Sequence, residues 1–576
     1  MDKNEISRIF EEIGVLMELK GENPFKVRAY YNGARIIELM EEDLHQLVEE
    51  NRLHEIEGIG KALEEKIIEL VKTGELEFYR RLKEEFPEGL LELLKIQGLG
   101  PKKVRVLYDK LNITSVEELE RACLEDKLSN LKGFGEKTTK KILEGIENYK
   151  NFSGQYLIST GLAYGNEMVK VLKTNPLIKR VSLAGSIRRH KETIKDIDII
   201  ASCDEDNRLA VMDFFTSLEG IKDVKEKGIT KSSLRLPMGI NVDLRLVGDG
   251  EYPNALQHFT GSKEHNTALR QRAKEMGYKV NEYGIFKGDN PQPVKTEEDL
   301  YKLLQLDYIP PEIRENNGEI EAAEKGNLPN LIKTSDIKGV MHIHSNYSDG
   351  HNTIEELVQK GISLGFKYIG ISDHSRSAIY AGGLKEEDIK RQHEEIGILQ
   401  EKYKDIVILK GIESDILADG SLDYSDEVLE SFDYIIGSIH SNFSMDINTM
   451  TKRLIKAINN RYLTILGHAT GRLLLSRPSY TLDIEAVIEA CGKNQVAIEI
   501  NSNPHRLELD WRMCRFAKER GVFIAIEPDA HRVEGIDDIQ YGVGVARKGW
   551  LEEANVLNSW ETDKVLEFLR KRKSNI

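Results

Sequence analysis

Between residues 337 and 576 a short apolar segment recurs seven times, ending near His342, Asp373, Gly411, Ile439, Gly467, Ile500 and Ile526, with enough chain between copies for one crossover helix. Strands and helices alternating in this way favour a parallel sheet, and seven units predict a (β/α)7-like distorted barrel. In such barrels the carboxyl ends of the strands converge on one mouth. Metal-ligand residue types fall there. His342 and His344 alternate along one strand and so share a face, and Asp349 follows in the loop. His374, Glu413, His440, His468, Asp529 and His531 lie at or just past later strand ends. Nine of the fourteen histidines come after residue 340. Nine nitrogen and oxygen donors at one rim imply about three divalent ions, and imidazole mixed with carboxylate suits Mn²⁺, Fe²⁺ or Zn²⁺. Phosphoester hydrolysis is the chemistry such a cluster predicts. Asn501, Asn503 and Arg506, after the sixth strand, are expected along the substrate pocket.

Residues 1–150 have a different character. Ile6, Ile9, Phe10, Ile13 and Met17 recur at helical spacing. One pattern, apolar-x-Gly-apolar-Gly, occurs three times: Ile56 to Gly60 with Gly58, Ile96 to Gly100 with Gly98, and Leu131 to Gly135 with Gly133. Each copy precedes an amphipathic helix, and Lys102 and Lys103 follow the second. Such glycines permit a tight turn and a close backbone approach, and the free N–H groups of the next helix can meet a phosphate. Three copies predict contacts with the DNA backbone; they resemble helix-hairpin-helix motifs, which hold DNA by its phosphates without reading sequence. The overall balance, 81 Lys+Arg against 97 Asp+Glu and net −16, argues against loose coating of nucleic acid. No apolar run is long enough to span a bilayer. Cys123, Cys203, Cys491 and Cys514 are scattered, which excludes a disulfide scaffold or a cysteine zinc finger and fits a reducing cytoplasm.

Residues 151–315 read as an α+β unit. Asp196 and Asp198 share one face of a strand, and Asp243 lies on another strand whose opposite face is apolar. Three acids meeting on one sheet can hold two Mg²⁺ with phosphate as co-ligand, the arrangement for nucleotidyl transfer. About ten residues upstream, the Gly185-Ser186 turn and Arg189 offer donors for phosphate oxygens. The polar stretch after residue 315 reads as a linker.

The run Gly185-Ser186-x-Arg188-Arg189, then Asp196-x-Asp198, then Asp243, resembles the palm of the family X DNA polymerases, a branch of the nucleotidyltransferase superfamily. His258-Phe259-Thr260-Gly261-Ser262, with Asn266 and Arg270, resembles the nucleotide-binding stretch of their thumb. The resemblance implies Asp196, Asp198 and Asp243 as catalytic ligands of Mg²⁺ or Mn²⁺. It implies Gly185, Ser186 and Arg189 on the incoming triphosphate, His258, Phe259 and Gly261 beside its sugar, Asn266 at its base and Arg270 on the template side. His258 stands where eukaryotic members have tyrosine, and Lys195 where they have glycine. Arg245 is expected to pair with the acids. By the same resemblance Lys66 matches a Schiff-base lysine that attacks abasic sugars, and Lys26 and Tyr30 match a 5′-phosphate pocket. The histidine array resembles the PHP (polymerase and histidinol phosphatase) domain with all nine ligand positions filled.

The order of parts resembles the bacterial and archaeal family X polymerases. It implies residues 1–90 as a lyase-like helical domain with the first hairpin motif, 91–150 as a fingers-like domain with the other two, 151–250 as palm, 251–315 as thumb, 316–336 as linker and 337–576 as PHP domain. The activity implied is gap-filling DNA synthesis with a 3′→5′ exonuclease, and with it an abasic-site endonuclease, in base excision repair. The expected partners are gapped or nicked DNA and dNTPs, with no membrane and a monomeric cytoplasmic protein. Two other readings are a small-phosphomonoester phosphatase with an inactive palm and a non-catalytic DNA-binding scaffold.

Overall fold

The computed structural model describes residues 3–574 apart from 41, 43, 57 and 97. Glu57 and Gln97, variable positions of the first two glycine turns, lie outside the described residues. The chain divides into two compact units, Met1–Ser153 and Gly154–Ile576. The four cysteines are buried and unpaired. Among the described residues no helix is long and apolar enough to cross a membrane.

The described residues of the first unit are helices and turns. Ile6, Ile9, Phe10, Ile13 and Met17 all point from the helix Lys3–Lys20 into one core, as their spacing predicts. That core extends to Leu82, and a second gathers Leu19 with residues from Leu90 to Ile146. The three glycine turns share one shape. Their first glycine is left-handed, with φ of +92° at Gly58, +89° at Gly98 and +91° at Gly133, a conformation costly to any residue with a Cβ. Their second, Gly60, Gly100 or Gly135, is the N-cap of the next helix, Lys61–Thr73, Pro101–Leu111 or Glu136–Phe152. No side chain caps these starts, so their first two N–H groups, less the one that Pro101 lacks, are available to a ligand.

In the second unit, after the helix Ile158–Leu172, comes a five-stranded sheet of β1 (Arg180–Leu183), β2 (Asp196–Ser202), β3 (Asp223–Lys227), β4 (Lys231–Arg235) and β5 (Asn241–Val247), in the order β1-β2-β5-β4-β3. Only β2 and β5 run parallel. Ile197, Ile199, Val242 and Leu244 fill the core behind them. Helices Tyr252–Thr260 and Lys263–Glu275, a three-stranded antiparallel sheet and the helix Glu297–Leu303 follow. Residues 316–336 pack onto this layer: Ile320, Ala323 and Leu331 join Leu269 and Tyr301 in one core, and His265 Nδ1 lies 2.7 Å from Glu319 Oε1.

The remaining chain forms seven parallel strands in sequential order: β6 (Gly339–Val340), β7 (Tyr368–Ile371), β8 (Val407–Asp415), β9 (Tyr434–Ser438), β10 (Ile465–Leu466), β11 (Ala497–Asn501) and β12 (Ile524–Glu527). An isolated parallel bridge between Ile343 and Ala530 nearly closes the barrel, with His344 N donating to the Ala530 carbonyl at 2.9 Å. Tyr368, Tyr434, Ile465 and Ala497, the first residues of their strands, pack together at the amino-terminal end, and Trp560 with the helix Thr562–Ser574 seals it. Glycine leaves room for these rings: a Cβ at Gly370 would lie 2.3 Å from the Tyr434 hydroxyl. One expectation needs correction. β8 does not end near Gly411 but runs to Asp415, because Gly411–Asp415 pair along β9; Glu413 therefore points from within a strand.

Candidate active sites

The first site lies on the β2/β5 pair. Asp198 is in register with Asp243, and Asp196 with Asn241. Neighbours in register point to the same side, so Asp196, Asp198 and Asp243 face out together, opposite the buried isoleucines. The turn Gly185–Arg188 packs directly above them. Gly185 has φ +59°, and a Cβ there would sit 2.0 Å from Asp198 Oδ2, so only glycine fits. Ala184 N donates to the Asp198 carbonyl at 2.8 Å. Burial, then the Asp196 and Asp243 carboxylates, push Asp198 up to about 7. Burial and Asp243 raise Asp196 as well. Carboxylates that hinder one another's ionisation in this way are relieved by a cation, and an all-oxygen face fits Mg²⁺ or Mn²⁺. Two supporting groups had no sequence signal. Ser233 Oγ donates to Asp243 Oδ1 at 2.6 Å, and Lys231 Nζ lies 3.1 Å from Asp243 Oδ2. Both sit on β4, and only the strand pairing reveals them.

The residues expected around a nucleotide are brought together beside this face. Arg245 stacks its guanidinium 4.3 Å over the Phe259 ring and lowers the Asp198 pKa by its charge. Arg189 directs Nε to Glu315 at 3.1 Å and a terminal nitrogen to the Thr260 carbonyl. A Cβ at Gly261 would approach that nitrogen to 3.0 Å. His258 meets Phe259 edge-on at 5.0 Å. Asn266 donates to the His258 carbonyl at 2.7 Å and accepts from Gln257 at 2.8 Å, and Arg270 Nε donates to the Asn266 carbonyl at 3.1 Å. Ser186 lies in the turn above Asp198.

The second site is the carboxyl end of the barrel. His344, Asp349, His374 and His531 form one group of mutually close ligand atoms, His342, His344 and Asp529 another, and His374, Glu413 and His440 a third. His468 Nε2 joins them 3.0 Å from Glu413 Oε1. All nine expected donors are thus at one rim. His342 Nε2, His344 Nδ1 and His468 Nδ1 are buried without a hydrogen-bond partner, a costly state that a bound cation relieves, and His374 Nδ1 lies 2.8 Å from Glu413 Oε2. The electrostatics divide the histidines. Burial, with His531 and His374 nearby, lowers His344 to about 3. Burial also opposes protonation of His440, but Glu413 and the Asp415 hydrogen bond outweigh it and lift His440 to about 10.

Behind the rim sits a set of carboxylates that sequence reading missed. Glu499 Oε1 lies 2.5 Å from His342 Nδ1, and Asp415 Oδ1 lies 2.6 Å from His440 Nδ1. Each fixes the ring so that Nε2 faces the cluster. Glu527 accepts from the backbone N–H groups of Met341 and His342. An acid inside an apolar strand, as in Ile498-Glu499-Ile500, was the available signal. Asn501, expected on the pocket wall, is instead fully buried and donates to Asp529 Oδ2 at 3.0 Å. Arg506 lies near the mouth, with Nε 3.6 Å from the same Asp529 oxygen.

In the first unit a cavity of about 810 Å³ is lined by Lys20, Lys26, Tyr30, Gly58, Gly60 and Phe78, among others. Tyr30 stacks on Phe78 at 6.1 Å, and burial pushes its hydroxyl up to about 12. Lys66 Nζ lies 5.1 Å from the Phe78 ring centre and donates to the Ala62 carbonyl at 3.2 Å. Lys103 Nζ donates to the Gly98 carbonyl at 2.9 Å, while Lys102 is largely exposed.

Four segments of the chain match known families. Residues 1–76 match a helix-hairpin-helix domain, 90–148 a SAM-like helix-hairpin-helix tandem, 255–315 a DNA polymerase beta thumb and 341–503 a PHP domain. The DNA polymerase/3′-5′ exonuclease PolX of Bacillus subtilis (strain 168) is 40% identical over 576 residues, covering 99% of this chain and all of the relative. A probable phosphatase of Thermoanaerobacter sp. (strain X514) is 31% identical over 41% of this chain and 95% of its own length. A solved ternary complex of Leishmania infantum polymerase beta covers 40% of this chain and all of its own, at 23% identity and a TM-score of 0.27.

Proposed function

Because the chain belongs to the PolX family, family X DNA polymerases with helix-hairpin-helix, thumb and carboxyl-terminal PHP domains, we propose that it is a gap-filling DNA polymerase joined to a 3′→5′ exonuclease. The observation that carries this reading is the presence in one chain of two separate phosphate-handling clusters, three acids on the β2/β5 face and nine donors at the barrel rim.

In the synthetic step a primer 3′-hydroxyl attacks the α-phosphate of a dNTP and pyrophosphate leaves. The Gly185-Ser186 turn and Arg189 hold the triphosphate, Phe259 and Gly261 pack against the sugar, Asn266 faces the base and Arg270 the template. His258 stands beside Phe259 at the sugar. In the hydrolytic step the rim grips the terminal phosphodiester while Glu499 and Asp415 keep His342 and His440 oriented. Mg²⁺ or Mn²⁺ on Asp196, Asp198 and Asp243, and about three Mn²⁺, Zn²⁺ or Fe²⁺ on the rim donors, would neutralise phosphate charge and favour the ionised nucleophile in each site.

The three glycine turns hold the DNA backbone, with Lys26 and Tyr30 at a 5′-phosphate and Lys66 as the nucleophile toward an abasic sugar. Abasic-site cleavage and a place in base excision repair, in the cytoplasm, complete the proposal. The barrel's likeness to a probable phosphatase favours a second reading, hydrolysis of small phosphomonoesters, against which the intact acid trio and three DNA-binding turns weigh. Primer extension and degradation on gapped DNA, with Mg²⁺ and Mn²⁺ varied separately, test the proposal. Extension with dNTPs and degradation without them are expected; phosphomonoester turnover with neither DNA activity would refute it.

A further inference from the structure

The loop between β7 and the helix Glu386–Lys402 carries two of the most exposed apolar side chains in the described residues, Ile379 at 85% and Tyr380 at 72%. The loop itself is tightly held. Ser377 donates from N and Oγ to Asp423, at 2.7 and 2.5 Å, and Arg376 N donates to the Tyr424 hydroxyl at 3.1 Å. Leu384 N donates to the His374 carbonyl at 2.9 Å. Gly383 has no room for a Cβ, which would meet the Ser375 carbonyl at 1.9 Å. Its tip is therefore a fixed apolar projection beside a strongly polar rim, an arrangement that costs solvation and that phosphoester hydrolysis by itself does not require.

The position of the tip gives it a use. The Tyr380 ring centre lies 6.3 Å from that of His374 and 6.4 Å from that of His440, two members of the group completed by Glu413. A phosphate held at that group leaves its attached nucleoside within reach of the ring. Arg376, half-exposed on the same loop, is held 3.5 Å from Asp423 and 5.4 Å over the Tyr424 ring, which further fixes the loop. We propose that Tyr380, flanked by Ile379, is a stacking platform for the base of the 3′-terminal nucleoside of a DNA strand. The platform makes the barrel prefer nucleic-acid ends to compact phosphate esters, and it rests on the nuclease reading given above. Stacking needs a π-face and no hydroxyl, so it tolerates any base.

The test uses the full chain with Mn²⁺ and no dNTPs. It compares a single-stranded oligonucleotide, the same strand with an abasic 3′-terminal residue, and glycerophosphoglycerol, a diester with neither base nor aromatic ring. Tyr380→Ala is expected to lower kcat/KM on the normal strand by about 10-fold or more, mostly through KM. It should also abolish the preference over the abasic end and leave diester turnover within twofold. Tyr380→Phe should behave as the parent. Unchanged degradation by Tyr380→Ala overturns the platform, as does equal loss on all three substrates, which would mean the loop merely supports His374. If the parent hydrolyses the diester, in a reaction lost in His344→Ala, but leaves the oligonucleotide intact, the nuclease reading itself fails.

Discussion

Lys548, the last residue of the barrel helix Ile539–Lys548, is fully buried against the palm. Its Nζ lies 2.5 Å from Glu315 Oε1 and donates to the carbonyls of Arg189 at 3.1 Å and Glu312 at 3.2 Å. Glu315 also accepts from Arg189 Nε. Burial drives Lys548 down to about 8 despite Glu315. Lys548 and Arg189 hold Glu315 below its usual value although burial opposes this. Replacing Lys548 by Met removes one of the cations on Glu315 and strips two carbonyls of a donor. Breaking an isolated buried pair costs about 3–5 kcal/mol. Because Arg189 remains on Glu315, the lower end applies, about 3 kcal/mol. For a unit of roughly 420 residues the unfolding entropy is about 0.9 kcal/mol per degree, so Tm should fall by roughly 3 °C in calorimetry. Glu315, left with fewer cations, should then draw Arg189 more firmly from the triphosphate. Single-nucleotide gap filling should show a dNTP KM raised about 5- to 10-fold, roughly 1–1.4 kcal/mol, with strand degradation in the same preparation unchanged. An unchanged Tm, or a lowered Tm with an unchanged KM, would refute the reasoning.

Glu499→Gln should leave the fold intact and weaken Mn²⁺ binding at the rim about 10- to 100-fold, read by metal titration of strand degradation, with gap filling unaffected. Lys102→Ala should weaken gapped-DNA binding without changing sequence preference and reduce the slope of log affinity against log salt by about 1. A slope unchanged within error would remove Lys102 from the DNA contact.

What could be read from the residues alone followed periodicity. Asp196 and Asp198 were legible because a strand repeats every two residues, and the helix Lys3–Lys20 because its apolar residues repeat on a helical face. The rim donors were legible because ligand-type residues cluster at successive strand ends. Groups that act across strands were not. Lys231 and Ser233 reach Asp243 only through the β4/β5 pairing, and Glu499, though marked as an acid inside an apolar strand, has no legible partner until the barrel brings its side chain to His342. The end of β8 was misplaced because Glu413-Ser414-Asp415 is polar, as a loop would be, yet these residues pair with β9 and point into the barrel end. Lys548 and Glu315 lie 233 residues apart, and no local pattern connects them.

Two independent centres in one chain are tested most directly by paired single substitutions. Asp196→Ala and His344→Ala are each assayed on one gapped substrate, with dNTPs for extension and without them for degradation. Asp196→Ala should abolish extension and leave degradation near the parental rate, and His344→Ala should do the reverse. Loss of both activities in either variant, or survival of both, would contradict the account.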